Sequence, residues 1–139
     1  MSLSIRNQIP GTVTAVTAGE AMATVKVRLV GGQEITAAIT LEAVKELGLT
    51  EGSPVRTLVK STEVSLATGA VEGLSIRNRI PGTVTGVAIG GAMAGVKVAV
   101  EGGELTAAIT KDAVTDLRLA PGASVTALIK STEVSLAAA

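Results

Sequence analysis

Hydrophobic and polar residues alternate along most of this chain, and a short helical spacing interrupts the alternation. Thr12–Val16 reads Thr-Val-Thr-Ala-Val, a period of two. In Thr24–Leu29, Val25, Val27 and Leu29 share one face, while Thr24, Lys26 and Arg28 share the other. Glu34–Thr40 is a third short strand, and Ala18–Ala21 and Gly31–Glu34 carry the turns between. At Thr40–Gly48 the spacing becomes helical. Thr40 predicts an N-cap, Glu42 lies in the first turn where the helix dipole favours it, and Gly48 suits the position past the last turn. After a turn at Thr50–Pro54, Val55–Lys60 and Glu63–Ala67 complete five strands. Ile9–Thr12, "IPGT", reads as turn punctuation. Five short strands with one short helix after the third predict an OB-like barrel.

The pattern then repeats. "SIRNQIPGTVTAV" at Ser4–Val16 returns as "SIRNRIPGTVTGV" at Ser75–Val87, and "KSTEVSLA" occurs unchanged at Lys60–Ala67 and Lys130–Ala137. The offset falls from 71 to 70 where "GGQE" becomes "GGE", so a single indel sits in a turn. Elsewhere the copies have drifted, as "LEAVKELGL" against "KDAVTDLRL" shows. The expected organisation is all-β with one short helix per repeat: two tandem OB-like five-stranded β-barrels, spanning 1–68 and 69–139 and joined through Ala67–Gly73. A lone barrel of this size is marginal and buries roughly 60% of its unfolded surface. Close packing of the two copies, and of several chains, is therefore expected.

Composition strengthens that expectation. The chain has no Phe, Trp or Tyr, yet 47% of its residues are hydrophobic and its mean hydropathy is +0.52. Apolar surface without aromatic anchors or a membrane-length run points to oligomerisation. Twelve basic and twelve acidic residues balance overall, and they balance six to six within 1–70 and within 71–139. No general field attracts nucleic acid or an anionic membrane, and stacking aromatics are missing too. Lack of Cys and His excludes thiol nucleophiles, zinc fingers and imidazole acid–base chemistry. No nucleophile–base pair stands out, so an enzyme is not expected. The opening "MSLSIRNQIPG" has no apolar h-region, which makes the cytoplasm the expected location.

The repeated patches consist mostly of hydrogen-bond donors. Ser4 and Arg6 lie on the same side of an extended segment, as do Ser75 and Arg77. Thr40 and Thr110 begin helices, where the N–H groups of Ala43 and Ala113 belong to the set without helical partners. Lys60–Ser61 and Lys130–Ser131 end strands. Guanidinium, ammonium, hydroxyl and amide N–H together suit an oxyanion. Each residue also has a plainer role: Thr40 a cap, Arg6 a solvated charge, Lys60 an edge guard, Ser61 a turn residue, and Asn7 and Asn78 turn formers. Glu63 and Glu133 read as surface or inter-chain salt-bridge residues.

Taken together, "SIRNQIPGTV", "GGQEITAAIT" and "VKSTEVSLA" resemble the Mop (TOBE-like) domain of the molbindins, and the duplication resembles a di-Mop arrangement. The resemblance covers nearly the whole chain and implies OB-like barrels assembled as a homotrimer. It also implies molybdate or tungstate bound as an intact oxyanion at sites between domains and chains, with no catalytic cofactor and no free metal cation. By position it assigns Ser4, Arg6, Thr40, Ala43, Lys60 and Ser61, and in the second copy Ser75, Arg77, Thr110, Ala113, Lys130 and Ser131. Ala43 and Ala113 can serve only through backbone N–H. The S-x-R face and the Thr/Lys-Ser face of one site are implied to come from different domains, and Asn7 and Asn78 are lesser candidates. The expected function is intracellular storage and homeostasis of the oxyanion, and the alternative is a structural or regulatory oligomerisation module with vestigial anion sites.

Overall fold

The computed structural model describes residues 2–139. Its first repeat contains β1 (Asn7–Ala18), β2 (Met22–Leu29), β3 (Glu34–Thr40), α1 (Leu41–Leu47), β4 (Pro54–Val59) and β5 (Ser65–Ala67). The second contains β6 (Asn78–Ile89), β7 (Met93–Val100), β8 (Gly103–Thr110), α2 (Lys111–Asp116), β9 (Ser124–Ile129) and β10 (Ser135–Ala138). A 3-10 turn, Ser61–Glu63 or Ser131–Glu133, precedes the last strand of each repeat. The alternation in β2 is realised in full: Ala23, Val25, Val27 and Leu29 are buried and the residues between them are exposed. Both helices are capped as their sequences predict. Thr40 Oγ1 accepts the Ala43 N–H at 3.1 Å and Thr110 Oγ1 accepts that of Ala113 at 3.1 Å. Gly48 closes α1 at φ 61, whereas Arg118, its counterpart after α2, holds φ 54 with a full side chain.

One local expectation is overturned. "IPGT" is no turn, because β1 runs straight through Pro10 and Gly11. Asn7–Thr12 pairs with β4, and from Gly11 onward the strand also pairs with β2. Pro10 lies just before β2 joins, and a proline N, which has no hydrogen to donate, is tolerated where a ladder is open. Gly11 sits where β2 crosses closest. A Cβ there would lie 2.6 Å from Val27 Cγ1 and 2.8 Å from the Arg28 carbonyl oxygen. Gly82 meets the same obstruction from Val98 Cγ1 and the Ala99 carbonyl, each at 2.6 Å. Turn-type residues therefore serve a close strand crossing. The bulge that follows, between Val13 and Ala15 and again between Val84 and Gly86, bends the long strand so that each sheet curls.

The two sheets exchange strands. Their orders are β10-β4-β1-β2-β3 and β5-β9-β6-β7-β8. Ser65–Ala67 thus pairs with Leu128–Thr126 of the second repeat, and Ser135–Ala138 pairs with Leu58–Val55 of the first. The 3-10 turns start the crossing, each closed by a Glu N–H donating to a Lys carbonyl at 2.9 Å. Val64 and Val134, both 2% exposed, are carried with it into the core. One continuous apolar cluster consequently joins Val13, Val27, Ile35 and Val59 of the first repeat to Ile80, Leu105, Ile129 and Val134 of the second. The hairpin tips meet as well: Gly31 packs on Glu101 and Gly102, and Gln33 Nε2 donates to the Glu101 carbonyl at 3.0 Å.

Two expected outcomes follow from this packing. Gly11→Ala and Gly82→Ala should each destabilise the protein by about 1–3 kcal/mol in urea unfolding, since the added methyl meets backbone. Truncation after Val134 removes β10 and leaves the β4 edge open. Hydrogen exchange of the Arg56 and Leu58 amides, which face β10, should then accelerate sharply, although both residues lie in the other repeat.

Candidate functional site

The antiparallel ladder between β1 and β4 gathers the first donor cluster. Asn7 pairs with Val59, so Arg6 and Lys60 are the next residues outward on the two strands. The following 3-10 turn packs against β8 of the second repeat. Register therefore puts Arg6 and Lys60 at one end of the β1–β4 pair, with Ser4 two residues before Arg6 and Ser61 in the turn that packs on the other repeat. The second repeat mirrors this. Asn78 pairs with Ile129, which places Arg77 beside Lys130, and the Ser131 turn packs against β3. Within one chain, strand register thus puts the Arg and the Lys-Ser pair of the same repeat at the same strand ends.

Asn7 and Asn78 lie beneath these clusters at 3% and 2% exposure. Neither forms a turn. Asn7 Nδ2 donates to the Thr106 carbonyl at 2.9 Å, and its Oδ1 accepts the Thr106 N–H at 2.8 Å. Asn78 makes the same pair with Thr36, both bonds at 2.8 Å. Each side-chain amide stands in for a strand residue and bonds the open edge of the opposite sheet. Both asparagines therefore hold the two repeats together and fix how far each donor cluster stands from the other repeat's third strand.

The donors differ in readiness. Ser61 Oγ and Ser131 Oγ are buried from solvent and have no hydrogen-bond partner among the described residues. A buried hydroxyl without a partner costs roughly 1–3 kcal/mol, so each is poised to meet an acceptor. Lys60 and Lys130 form no salt bridge among the described residues, where Lys97–Glu104 at 3.5 Å is the single pair. Arg6 folds back, Nε to the Ser4 carbonyl and one Nη to that of Leu3, each at 3.1 Å. Arg77 does likewise to Ser75 and Leu74, at 3.0 and 2.8 Å. Each guanidinium uses two of its five N–H donors this way and keeps the rest. A cavity of about 140 Å³ lies beside Lys60, walled by Ile5, Leu58, Glu63, Thr132, Glu133 and Ser135. Glu63 and Glu133 enter no salt bridge among the described residues, and their carboxylates bound the space available to an anion.

Thr40 stands apart. It lies four residues along β3 from Thr36, or about 13 Å of extended chain. Its own cavity is lined by Glu20, Ala21, Leu41, Glu42, Lys45 and Glu46, with no member of either donor cluster. The Ala43 and Ala113 N–H groups, read from the sequence as lacking helical partners, are engaged in the Thr caps. A ligand there must share them with Thr40 and Thr110. Across the strand from each cap stands an exposed methionine: Met22 opposite Thr40 and Met93 opposite Thr110, each 48% exposed. No group of three or more carboxylate, Cys or His side chains able to hold a cation occurs among the described residues. No described helix is long and apolar enough to cross a membrane.

Two curled five-stranded sheets with a helix after the third strand, each presenting a donor cluster at its strand ends, define a duplicated TOBE module. The chain belongs to the TOBE-domain family, whose model matches residues 3–66 and again 74–136. Among its relatives, the molybdenum-pterin-binding protein MopB of Rhodobacter capsulatus is 43% identical over 136 residues, which cover 96% of this chain and 50% of that protein. The molybdenum transport protein ModE of Herbaspirillum seropedicae is 39% identical over 139 residues, 99% of this chain and 52% of that protein. The chain spans about half the length of these two relatives. Among solved structures, the cytoplasmic molybdate-binding protein ModG with molybdate bound superposes with a TM-score of 0.97 at 40% identity, covering 100% of both chains.

The clamp offers a direct check. Asn7→Ala leaves the Thr106 N–H and carbonyl without their side-chain partners, and Asn78→Ala does the same at Thr36. Each substitution should cost about 1–3 kcal/mol in equilibrium unfolding. A wild-type midpoint for either would remove the asparagines from the account of how the repeats are joined.

Proposed function

We propose that this protein binds molybdate, and tungstate with it, as an intact oxyanion for storage and homeostasis in the cytoplasm, without catalysing a reaction. The carrying observation is the pair of orphaned buried hydroxyls, Ser61 Oγ and Ser131 Oγ, each beside an Arg and a Lys of its own repeat. A tetrahedral dianion supplies acceptors in several directions at once, which such a cluster lacks in the free protein. The full-length likeness to ModG supports the same reading.

The site is completed between chains. Ser4, Arg6, Lys60 and Ser61 form one half, and Ser75, Arg77, Lys130 and Ser131 form its counterpart. Thr40 with the Ala43 N–H, and Thr110 with that of Ala113, form the complementary face supplied by a neighbouring chain. Exposed Met22 and Met93 beside the two threonines support an apolar contact there, in keeping with a homotrimer. The ligand halves follow the sequence units 1–68 and 69–139, although the sheets do not. Balanced charge and the lack of stacking aromatics argue against nucleic acid as a partner.

Calorimetric titration of the purified oligomer with molybdate, tungstate and sulfate tests this reading, paired with native mass spectrometry for subunit and ligand counts. Molybdate and tungstate should bind far more tightly than sulfate. Lys60→Ala and Lys130→Ala should each weaken their class of site by about 10-fold or more, with the oligomer intact. An intact oligomer that binds none of the three anions would leave the module a structural one.

A further inference from the structure

The two S-x-R segments are near-identical in sequence but not in how they are held. In the first repeat, the backbone of Leu3–Ile5 receives three side-chain bonds: two from Arg6, and one from Gln8 Nε2 to the Ile5 carbonyl at 2.9 Å. The acceptor end of Gln8 is already occupied, since Arg56 Nη1 donates to its Oε1 at 3.2 Å. In the second repeat Arg79 stands where Gln8 stood, and Thr126 where Arg56 stood. Arg79 is half-buried and reaches three carbonyls ahead of β6: Ile76 at 3.1 Å, Val71 at 3.4 Å and Leu74 at 2.7 Å. With the two bonds from Arg77, five side-chain bonds hold the backbone of Val71–Ile76. The Leu74 carbonyl accepts from both arginines.

We propose that Arg79 is a positioning residue that presets Ser75 and Arg77, so that the second repeat's half-site is the tighter of two unequal classes. This rests on the oxyanion reading above. The segment Val71–Ile76 lies outside any strand, and without Arg79 the Val71 and Ile76 carbonyls lose their side-chain partner and Leu74 keeps only Arg77. Fixing them fixes the backbone that carries Ser75 Oγ and the root of Arg77. A ligand arriving there meets donors already in place. At the first repeat three side-chain bonds rather than five hold the equivalent segment, so a smaller fraction should stand in the binding form, and apparent affinity falls with that fraction. Net charge does not enter, because each repeat has one arginine in the pair: Arg56 on β4 in the first, Arg79 on β6 in the second.

A charge-neutral exchange isolates the effect. Arg79→Gln with Thr126→Arg gives the second repeat the first repeat's arrangement, and Gln8→Arg with Arg56→Thr does the reverse. Titration of wild type with sodium molybdate should resolve two classes of site. The first exchange should weaken the tight class by about 10-fold and leave the other unchanged. The second should tighten the weak class by a similar factor, and Arg79→Lys should restore little of the loss because an ammonium cannot span three carbonyls. A general structural role would instead shift both classes together with the melting temperature. One uniform class in wild type, or both classes moving equally in the exchanged proteins, would overturn the proposal. Should the first exchange fail to fold, the second decides alone. Wild type that binds no molybdate would defeat the oxyanion reading itself, a distinct result.

Discussion

The rest of the structure depends on the reciprocal exchange of the last strand. Neither repeat completes its own sheet: β4 is covered by β10, and β9 by β5. An open β4 or β9 would present unpaired N–H and carbonyl groups beside an apolar face, a costly edge for a small barrel without aromatic side chains. The exchange closes both edges and draws Val64 and Val134 into the core on the way. It eases the size problem that the composition poses, because one apolar cluster then spans both repeats, beside a second cluster within the second repeat.

The exchange also positions the chemistry. The 3-10 turn that begins each crossing is the turn that carries Ser61 or Ser131, so the residues that join the repeats also place the orphaned hydroxyls. The asparagine clamps act at the same level. Asn7 and Asn78 follow Arg6 and Arg77 directly, and their bonds to Thr106 and Thr36 set the depth at which each donor cluster meets the opposite repeat. Linking and binding use adjacent residues in the chain. A disturbance of the inter-repeat contact is therefore felt at the donors.

Much of this was legible in the sequence, for physical reasons that differ by element. The alternation in β2 and β7 reports burial directly, since one face meets the core and the other water. The caps at Thr40 and Thr110 are local chemistry and appear as expected. The exchange was not legible. "KSTEVSLA" is identical in both copies, so either closing strand fits either sheet, and only the path of the intervening chain decides between them. "IPGT" carries turn residues, but the Gly is required by the close passage of β2 and the Pro by an open ladder position. Asn7 reads as a turn former because its partner lies 99 residues away. The grouping of Arg6 with Lys60 rests on strand register, which local sequence does not encode. The different reach of Gln8 and Arg79 is set by backbone carbonyls that the sequence alone does not name as partners.

The central claim is that the two repeats form a single unit, joined by exchanged strands and asparagine clamps. Native-state hydrogen exchange on the full chain tests it most directly. The account predicts that the most protected amides of β1 and β4 and those of β6 and β9 share one opening free energy, equal to that of global unfolding. Protected amides of one repeat exchanging through an opening well below global unfolding, while the other repeat stays closed, would contradict it.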